Sequence, residues 1–332
     1  MPNLAQVANG GQGRRQPTWV DPECEIFTKR EHEGAESGFN WKYCKKNPGH
    51  EKFISAQDFK DNYLPRLQSR EKREVFRSLI LDATVRLRVH CTSLDRPDDD
   101  QMAAHRGTCR MRVGTGFICY VYRPEYNKPC ICRECNGKVA RKQWRFGVKT
   151  AQHVVYNTEE AKETKIDLFC DDESCEKDGR MKSVWGVEVE CSFSNMDFCD
   201  IWCVTCDEDL GERISSAWPY RSDIKLNCQD VSDLGLLPSC DEDCDPALIV
   251  SHPHGQPKKI TVGELRYRDK ENLRLEYDTP TCPGSSGAPV FWLYRDSFFF
   301  SPVHSGSFIK TSETKEEKLN YCNDIFFYKP KW

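Results

Sequence analysis

Three short runs carry residue types that could do nucleophilic chemistry. Gly284-Ser285-Ser286-Gly287-Ala288-Pro289 sets a serine between two glycines on a tight turn, which exposes the hydroxyl and lets neighbouring backbone N–H groups converge on one point. Val148-Lys149-Thr150-Ala151-Gln152-His153 puts a histidine just past an alternating stretch, a position from which an imidazole could act as base. Gly114-Thr115-Gly116-Phe117-Ile118-Cys119 is a glycine-bracketed strand start. An acid to orient the histidine is sought in Asn195 to Val204, where Asp197 and Asp200 both qualify. Asp200 opens an apolar run, Ile201-Trp202-Cys203-Val204, whereas Asp197 is in phase with Cys199, Ile201 and Cys203 and would begin a barrel-facing row.

G-T-G-F, then T-A-Q-H, then G-S-S-G-A-P, in that order over roughly residues 83 to 324, resembles a trypsin-like (chymotrypsin-fold) serine peptidase. The resemblance implies an all-β fold of two antiparallel six-stranded β-barrels, with Ser286 as nucleophile, His153 as general base, and the N–H groups of Gly284 and Ser286 as oxyanion hole. The chain is also similar to a cysteine-rich, intracellular animal-type branch, whose D-x-C-x-L-x-C-V-T pattern maps onto Asp197, Cys199, Ile201, Cys203, Val204 and Thr205. That mapping favours Asp197 as the acid, with Asp200 the alternative. Val303-His304-Ser305-Gly306 falls where such enzymes carry the strand that pairs with substrate and walls the specificity pocket. A Thr at 281 with His304 resembles glutamyl endopeptidases and picornaviral main proteases, which implies Glu or Gln before the cut. The alternative is that Thr281 caps a turn and His304 packs beneath the barrel. Ser285 stands where secreted trypsins have the aspartate of their activation switch, so that switch is expected to be absent.

The 19 cysteines need a separate account. An odd number, clustered in a chain whose first residues lack the apolar core of a secretory signal, favours thiols or metal over disulfides. Cys130, Cys132 and Cys135 lie on a short turn ending in Asn136-Gly137 and resemble a zinc knuckle that needs one further soft ligand. Cys199, Cys203, Cys206 or the Cys170/Cys175 pair could supply it. Cys24, Cys44 and His50 could join a second small metal site, but their loose spacing favours the plainer reading as unligated residues, and His252 and His254 read as structural.

These anchors define the organisation. Residues 1–22 read as disordered, 23–82 as an irregular extension with an amphipathic helix near 69–81, 83–210 as a first barrel and 211–332 as a second. With 332 residues, a net charge of −4 and interleaved charges, no nucleic-acid footprint is evident. A mean hydropathy of −0.71 and no long apolar run predict no membrane contact and a cytoplasmic location. The function expected is a serine endopeptidase acting on protein or peptide, with no cofactor for catalysis. The alternative is an inactive, zinc-stabilised protein-binding module of the same fold.

Overall fold

The computed structural model describes residues 18–20, 23–28, 33–64, 70–217, 246–269, 274–294, 297–311 and 316–323. The N-terminal extension contributes strands β1 (Thr18–Val20), β2 (Glu25–Ile26) and β3 (Ile54–Ser55), and helices α1 (Glu33–Lys42) and α2 (Arg70–Ala83). Seven strands follow: β4 (Thr84–Val89), β5 (Arg112–Val121), β6 (Glu125–Pro129), β7 (Ala140–Thr150), β8 (Thr164–Leu168), β9 (Lys182–Phe193) and β10 (Phe198–Thr205). Helices α3 (Thr158–Lys162) and α4 (Glu208–Ala217) flank β8 to β10. The remaining strands are β11 (Pro246–Ser251), β12 (Lys259–Asp269), β13 (Arg274–Tyr277), β14 (Pro289–Tyr294), β15 (Ser297–Thr311) and β16 (Glu316–Asn323).

Pairing closes two rings. β5-β4-β8-β9-β10-β7 returns to β5, and β15-β14-β11-β12-β13-β16 returns to β15, each a six-stranded antiparallel barrel of the chymotrypsin-like kind. The expected division at residue 210 falls inside α4. The extension is not a separate appendage: β2 pairs with β5, β3 with β12, and β1 with β15. Thr18–Val20 therefore forms a strand within the segment expected to be disordered. The rest of residues 1–22, and the acidic run around Cys240 and Cys244, lie outside the described residues.

Apolar rows explain most of this. Val85, Leu87 and Val89 of β4 share one buried cluster with Val148, Ile201 and Cys203 of the first barrel and with Leu248, Val250 and Phe291 of the second. The polar residues that alternate along β4 are buried too. Arg86 Nε and Arg88 Nη2 donate to Asp167 at 2.9 and 2.8 Å, and Arg86 Nη1 donates to the Gly255 carbonyl at 2.8 Å. The two guanidiniums outweigh the penalty of burial and hold the Asp167 carboxyl below its usual range. Asp167→Ala would leave Arg86 buried without its carboxylate and Arg88 with Glu33 alone. It is expected to cost about 3–5 kcal/mol in urea unfolding, against under ~0.5 kcal/mol for an exposed control substitution.

Candidate active site

The turn carrying Ser286 is built by backbone that only glycine tolerates. Gly284 and Gly287 have φ of 95° and 84°. A Cβ at Gly284 would lie 2.5 Å from the His252 carbonyl oxygen, and one at Gly287 would lie 2.1 Å from Thr150 Oγ1. The Gly-Thr-Gly strand start grips this turn: Thr115 N–H donates to the Ser286 carbonyl and Thr115 Oγ1 to the Gly284 carbonyl, both at 2.8 Å. Ser285 is buried, 3.0 Å from Ser251 Oγ, and its Oγ accepts from Cys282 N–H at 3.3 Å.

His153 follows β7, at the edge of the first barrel. Its Nδ1 lies 2.8 Å from Asp197 Oδ2, and its backbone N–H donates to Asp197 Oδ1 at 3.0 Å. Asp197 reaches it from the left-handed conformation (φ 47°) just before β10. Asp200 is turned elsewhere, accepting from the Tyr120 hydroxyl at 2.9 Å. The histidine loop is pinned by a buried cluster with no sequence signature. Glu160 accepts from Arg96 and Arg112, while Arg96 Nη2 donates to the His153 carbonyl at 3.1 Å and Arg112 Nε to the Val154 carbonyl at 2.8 Å. Burial alone would pull the His153 pKa down. The Asp197 carboxylate, then the nearby Cys24 thiol, outweigh it and hold it up at about 10. His153 Nε2 and Ser286 Oγ are both buried, and neither has a hydrogen-bond partner among the described residues.

The backbone N–H groups of Gly284 and Ser286 converge on one oxygen, the Glu23 carbonyl, at 2.5 and 3.5 Å. The Glu23 side chain is buried in the adjoining pocket, where Oε2 lies 2.6 Å from His304 Nε2 and Oε1 pairs with Lys46 Nζ. His304 Nδ1 lies 2.8 Å from the Tyr277 hydroxyl. Burial, then the charges of Lys46 and His153, holds the His304 pKa well below its ordinary value, and burial keeps Tyr277 protonated. A neutral imidazole that accepts from Tyr277 at Nδ1 must donate from Nε2, so this pocket wall presents a hydrogen-bond donor to a side-chain oxygen.

Thr281 does not reach Glu23 itself. Its hydroxyl donates to Asn320 Oδ1 and accepts from Lys46, both at 2.9 Å, so it holds the lysine in place. Lys46 brings an amine into this pocket, its pKa lowered to about 7 by burial and then by the Lys318 charge, a feature that reading residues 281 and 304 alone missed because the lysine comes from the distant extension. Ser305 and Gly306 lie on β15, just ahead of the Ser307–Ile309 stretch that pairs with β1.

Two further clusters could hold a metal ion. Cys130, Cys132 and Cys135, on the β6–β7 hairpin, meet Cys206 just beyond β10, with all four sulfurs within 4.8 Å of one another. Cys206 lies 3.8 Å from Cys132 and 3.6 Å from Cys135. Four thiolates at zinc's bond length of about 2.3 Å would stand roughly 3.8 Å apart, whereas a disulfide needs about 2.05 Å. The spacing fits a tetrahedral ion. Cys199 and Cys203, the other candidates on β10, are barrel core instead. The second cluster joins Cys44 and His50 to His254 and Cys282. Cys24 belongs instead beside His153. Loose spacing along the chain concealed this group because its halves come from the extension and the second barrel.

No protein-family model matches this chain, and no curated protein matches it by sequence. Among solved structures, it is similar to the serine endoprotease from Yersinia pestis, with 12% identity and a TM-score of 0.37 over 76% of this chain and 61% of that one. The chain thus spans less than two thirds of that protein's length. At that score the likeness carries no weight beside the barrel pairing and the site geometry. No helix among the described residues is long and apolar enough to cross a membrane.

Metal content tests the four-cysteine cluster. Cys206→Ala is expected to lower bound zinc by about one ion per chain and to lower the melting temperature, because binding energy at such sites is folding energy. Element analysis of the protein purified without added zinc, with melting curves, reads both.

Proposed function

We propose that this protein is a serine endopeptidase that cuts after glutamate. The observation that carries the reading is the convergence of two backbone N–H groups on a single carbonyl oxygen, beside a His–Asp pair and a glycine-flanked serine. Ser286 Oγ attacks the substrate carbonyl as His153 takes its proton. Asp197 holds the imidazole by Nδ1–H and stabilises its charged form, and the N–H groups of Gly284 and Ser286 stabilise the oxyanion. His153 then gives the proton to the leaving amine, and water releases the acyl group by the reverse steps. A zinc ion at Cys130, Cys132, Cys135 and Cys206 would brace the β6–β7 hairpin, which places it in a structural role.

The pocket supports glutamate over glutamine. His304 Nε2–H suits either side chain, but a carboxylate also favours the charged form of Lys46, whose pKa burial lowers to about 7, and pairs with it, which a neutral amide does not. Arg and Lys at this position would meet Lys46 as a like charge, and an apolar residue would leave His304 without an acceptor.

A fluorophosphonate probe is expected to label the protein at Ser286, and Ser286→Ala to abolish labelling and reduce peptide turnover by roughly four to six orders of magnitude. Failure to label would favour the inactive binding module. Only neutral His153 can accept the serine proton, so its neutral fraction should rise about tenfold per pH unit below its pKa of about 10. Labelling should accelerate from pH 7 towards 10, and Asp197→Asn should move that limb to lower pH. A profile that is flat across this range, or unmoved by Asp197→Asn, would contradict the assignment of His153 as base. In peptide-library profiling, His304→Ala should erode the preference for glutamate about 10–100-fold, the effect of leaving one buried polar contact unmade.

A further inference from the structure

The group lying in the candidate site is part of the chain itself. Approaching from the N-terminus, β1 adds to β15 in antiparallel register, with Thr18 opposite Ile309, Trp19 opposite Phe308 and Val20 opposite Ser307. Three residues beyond Val20, Glu23 meets His304, three residues before Ser307. The Glu23 carbonyl oxygen then receives the N–H groups of Gly284 and Ser286, and its side chain enters the pocket between His304 and Lys46. Cys24 follows at once, and its side chain is near enough to His153 to act on the imidazole. Beyond the site the chain is held again: Glu25–Ile26 pairs with β5, and Phe27 N–H donates to the Met111 carbonyl at 2.8 Å. The segment is gripped on both sides of one peptide bond, in the order expected of a bound substrate.

We propose that the protein cleaves its own Glu23–Cys24 peptide bond in cis. This rests on the reading of Ser286 as nucleophile and names that site's first substrate. Ser286 Oγ bonds to the Glu23 carbonyl carbon, its proton passes to His153, and the C–N bond to Cys24 breaks. His153 delivers that proton to the departing Cys24 amine. One water then hydrolyses the Glu23–Ser286 ester, leaving a Glu23 carboxylate, a new Cys24 N-terminus and free Ser286. No other reactant is needed. The cut detaches residues 1–23, held among the described residues by the β1–β15 pairing and by Glu23 in the pocket, while β2 keeps the new N-terminus on the first barrel. Self-cleavage thus empties the pocket for substrates in trans, a route to activation that needs no carboxylate at Ser285.

Intact mass of the full-length protein, followed from first purification, tests this. The wild type should divide between Glu23 and Cys24 at a rate independent of protein concentration. Ser286→Ala and Glu23→Ala should stay whole, and Glu23→Gln should be slowed. Glu23→Gln should melt close to Ser286→Ala, and Glu23→Ala, although it loses the Lys46 pair, should still unfold in one cooperative transition above the assay temperature, which separates lost cleavage from lost folding. A fluorophosphonate probe distinguishes the two levels of the reading. A wild type that stays whole while it and Glu23→Ala label at Ser286 would overturn self-cleavage and leave the peptidase. Absence of both labelling and cleavage would overturn both. Cleavage that persists in Ser286→Ala, or that scales with concentration, would also overturn the proposal.

A different observation carries a second inference. Cys44 Sγ lies 3.6 Å from Cys282 Sγ, and Cys282 Sγ lies 3.4 Å from His50 Nε2. His254 Nδ1 is 2.5 Å from Glu25 Oε2, which fixes the proton there and leaves Nε2 a buried lone pair without a partner. Asn47 donates from its backbone to Cys44 Sγ at 3.4 Å and from its side chain to Cys282 Sγ at 3.1 Å, as donors around metal-bound thiolates do. We infer that Cys44, His50, His254 and Cys282 hold a zinc ion that staples the extension, and Lys46 with it, to the base of the Ser286 turn.

Cys44→Ser and His50→Ala should each lose about one zinc of about two per chain, additively with the loss from Cys206→Ala. Cobalt substitution should show the absorption of a tetrahedral site with two thiolates, removed by Cys44→Ser and retained by a Cys109→Ser control, an exposed cysteine outside both clusters. Zinc content unchanged in Cys44→Ser, or a Cys44–Cys282 disulfide found by peptide mapping, would overturn the assignment.

Discussion

The site depends on one backbone constraint: Ser286 is presented between two residues that must be glycine. Gly284 and Gly287 both hold positive φ, and both are pressed against backbone from elsewhere, His252 for the first and Thr115 with Thr150 for the second. A larger residue at 287 would need the barrels to part, since Thr115 and Thr150 belong to the first barrel and the turn to the second, and one at 284 would push the turn off His252. The same close approach aims the N–H groups of residues 284 and 286 at one oxygen. A strained turn alone would relax. It persists because the Thr115 hydrogen bonds and the Arg86 contact to Gly255 fasten the barrels at that point.

Charge supplies the second layer. The His153 loop, the link between barrels and the specificity pocket each rest on a buried ion group: Glu160 with Arg96 and Arg112, Asp167 with Arg86 and Arg88, and Glu23 with Lys46. Such groups add little net stability over apolar packing, but they penalise misplacement severely because a displaced partner leaves a buried charge alone. For loops that must hold an imidazole or a carbonyl to within a fraction of an ångström, that penalty favours one position. The Glu23 pair differs because it engages residues that the proposed cut would release. It stabilises the uncut chain and is lost afterwards.

What could be read from the sequence followed local periodicity and motif order. The alternation in β4, β7 and β14, the helix near residues 70–83, and the turn at Ser286 all announce themselves within a few residues. Both barrels followed from a resemblance anchored on those motifs. Asp197 was distinguishable from Asp200 only by phase and by the D-x-C-x-L-x-C-V-T resemblance, because the left-handed backbone that swings it towards His153 leaves no mark in composition. The features that were not legible are long-range. Glu23 and Lys46 lie more than two hundred residues from His304, the His50 and His254 halves of the second cluster are equally far apart, and Arg96 looks like a loop charge until Glu160 is beside it. A segment read as disordered contains the strand β1, since its pairing partner is β15 and not anything nearby.

The central claim is that Ser286 forms a covalent acyl intermediate on an acid-preferring site. Pre-steady-state hydrolysis of a nitrophenyl ester of N-blocked glutamate by the self-cleaved protein tests it most directly. The account predicts a burst of about one equivalent of nitrophenol per chain followed by slower steady turnover, with no burst from Ser286→Ala. Linear release without a burst, at the same rate in the wild type and in Ser286→Ala, would contradict it.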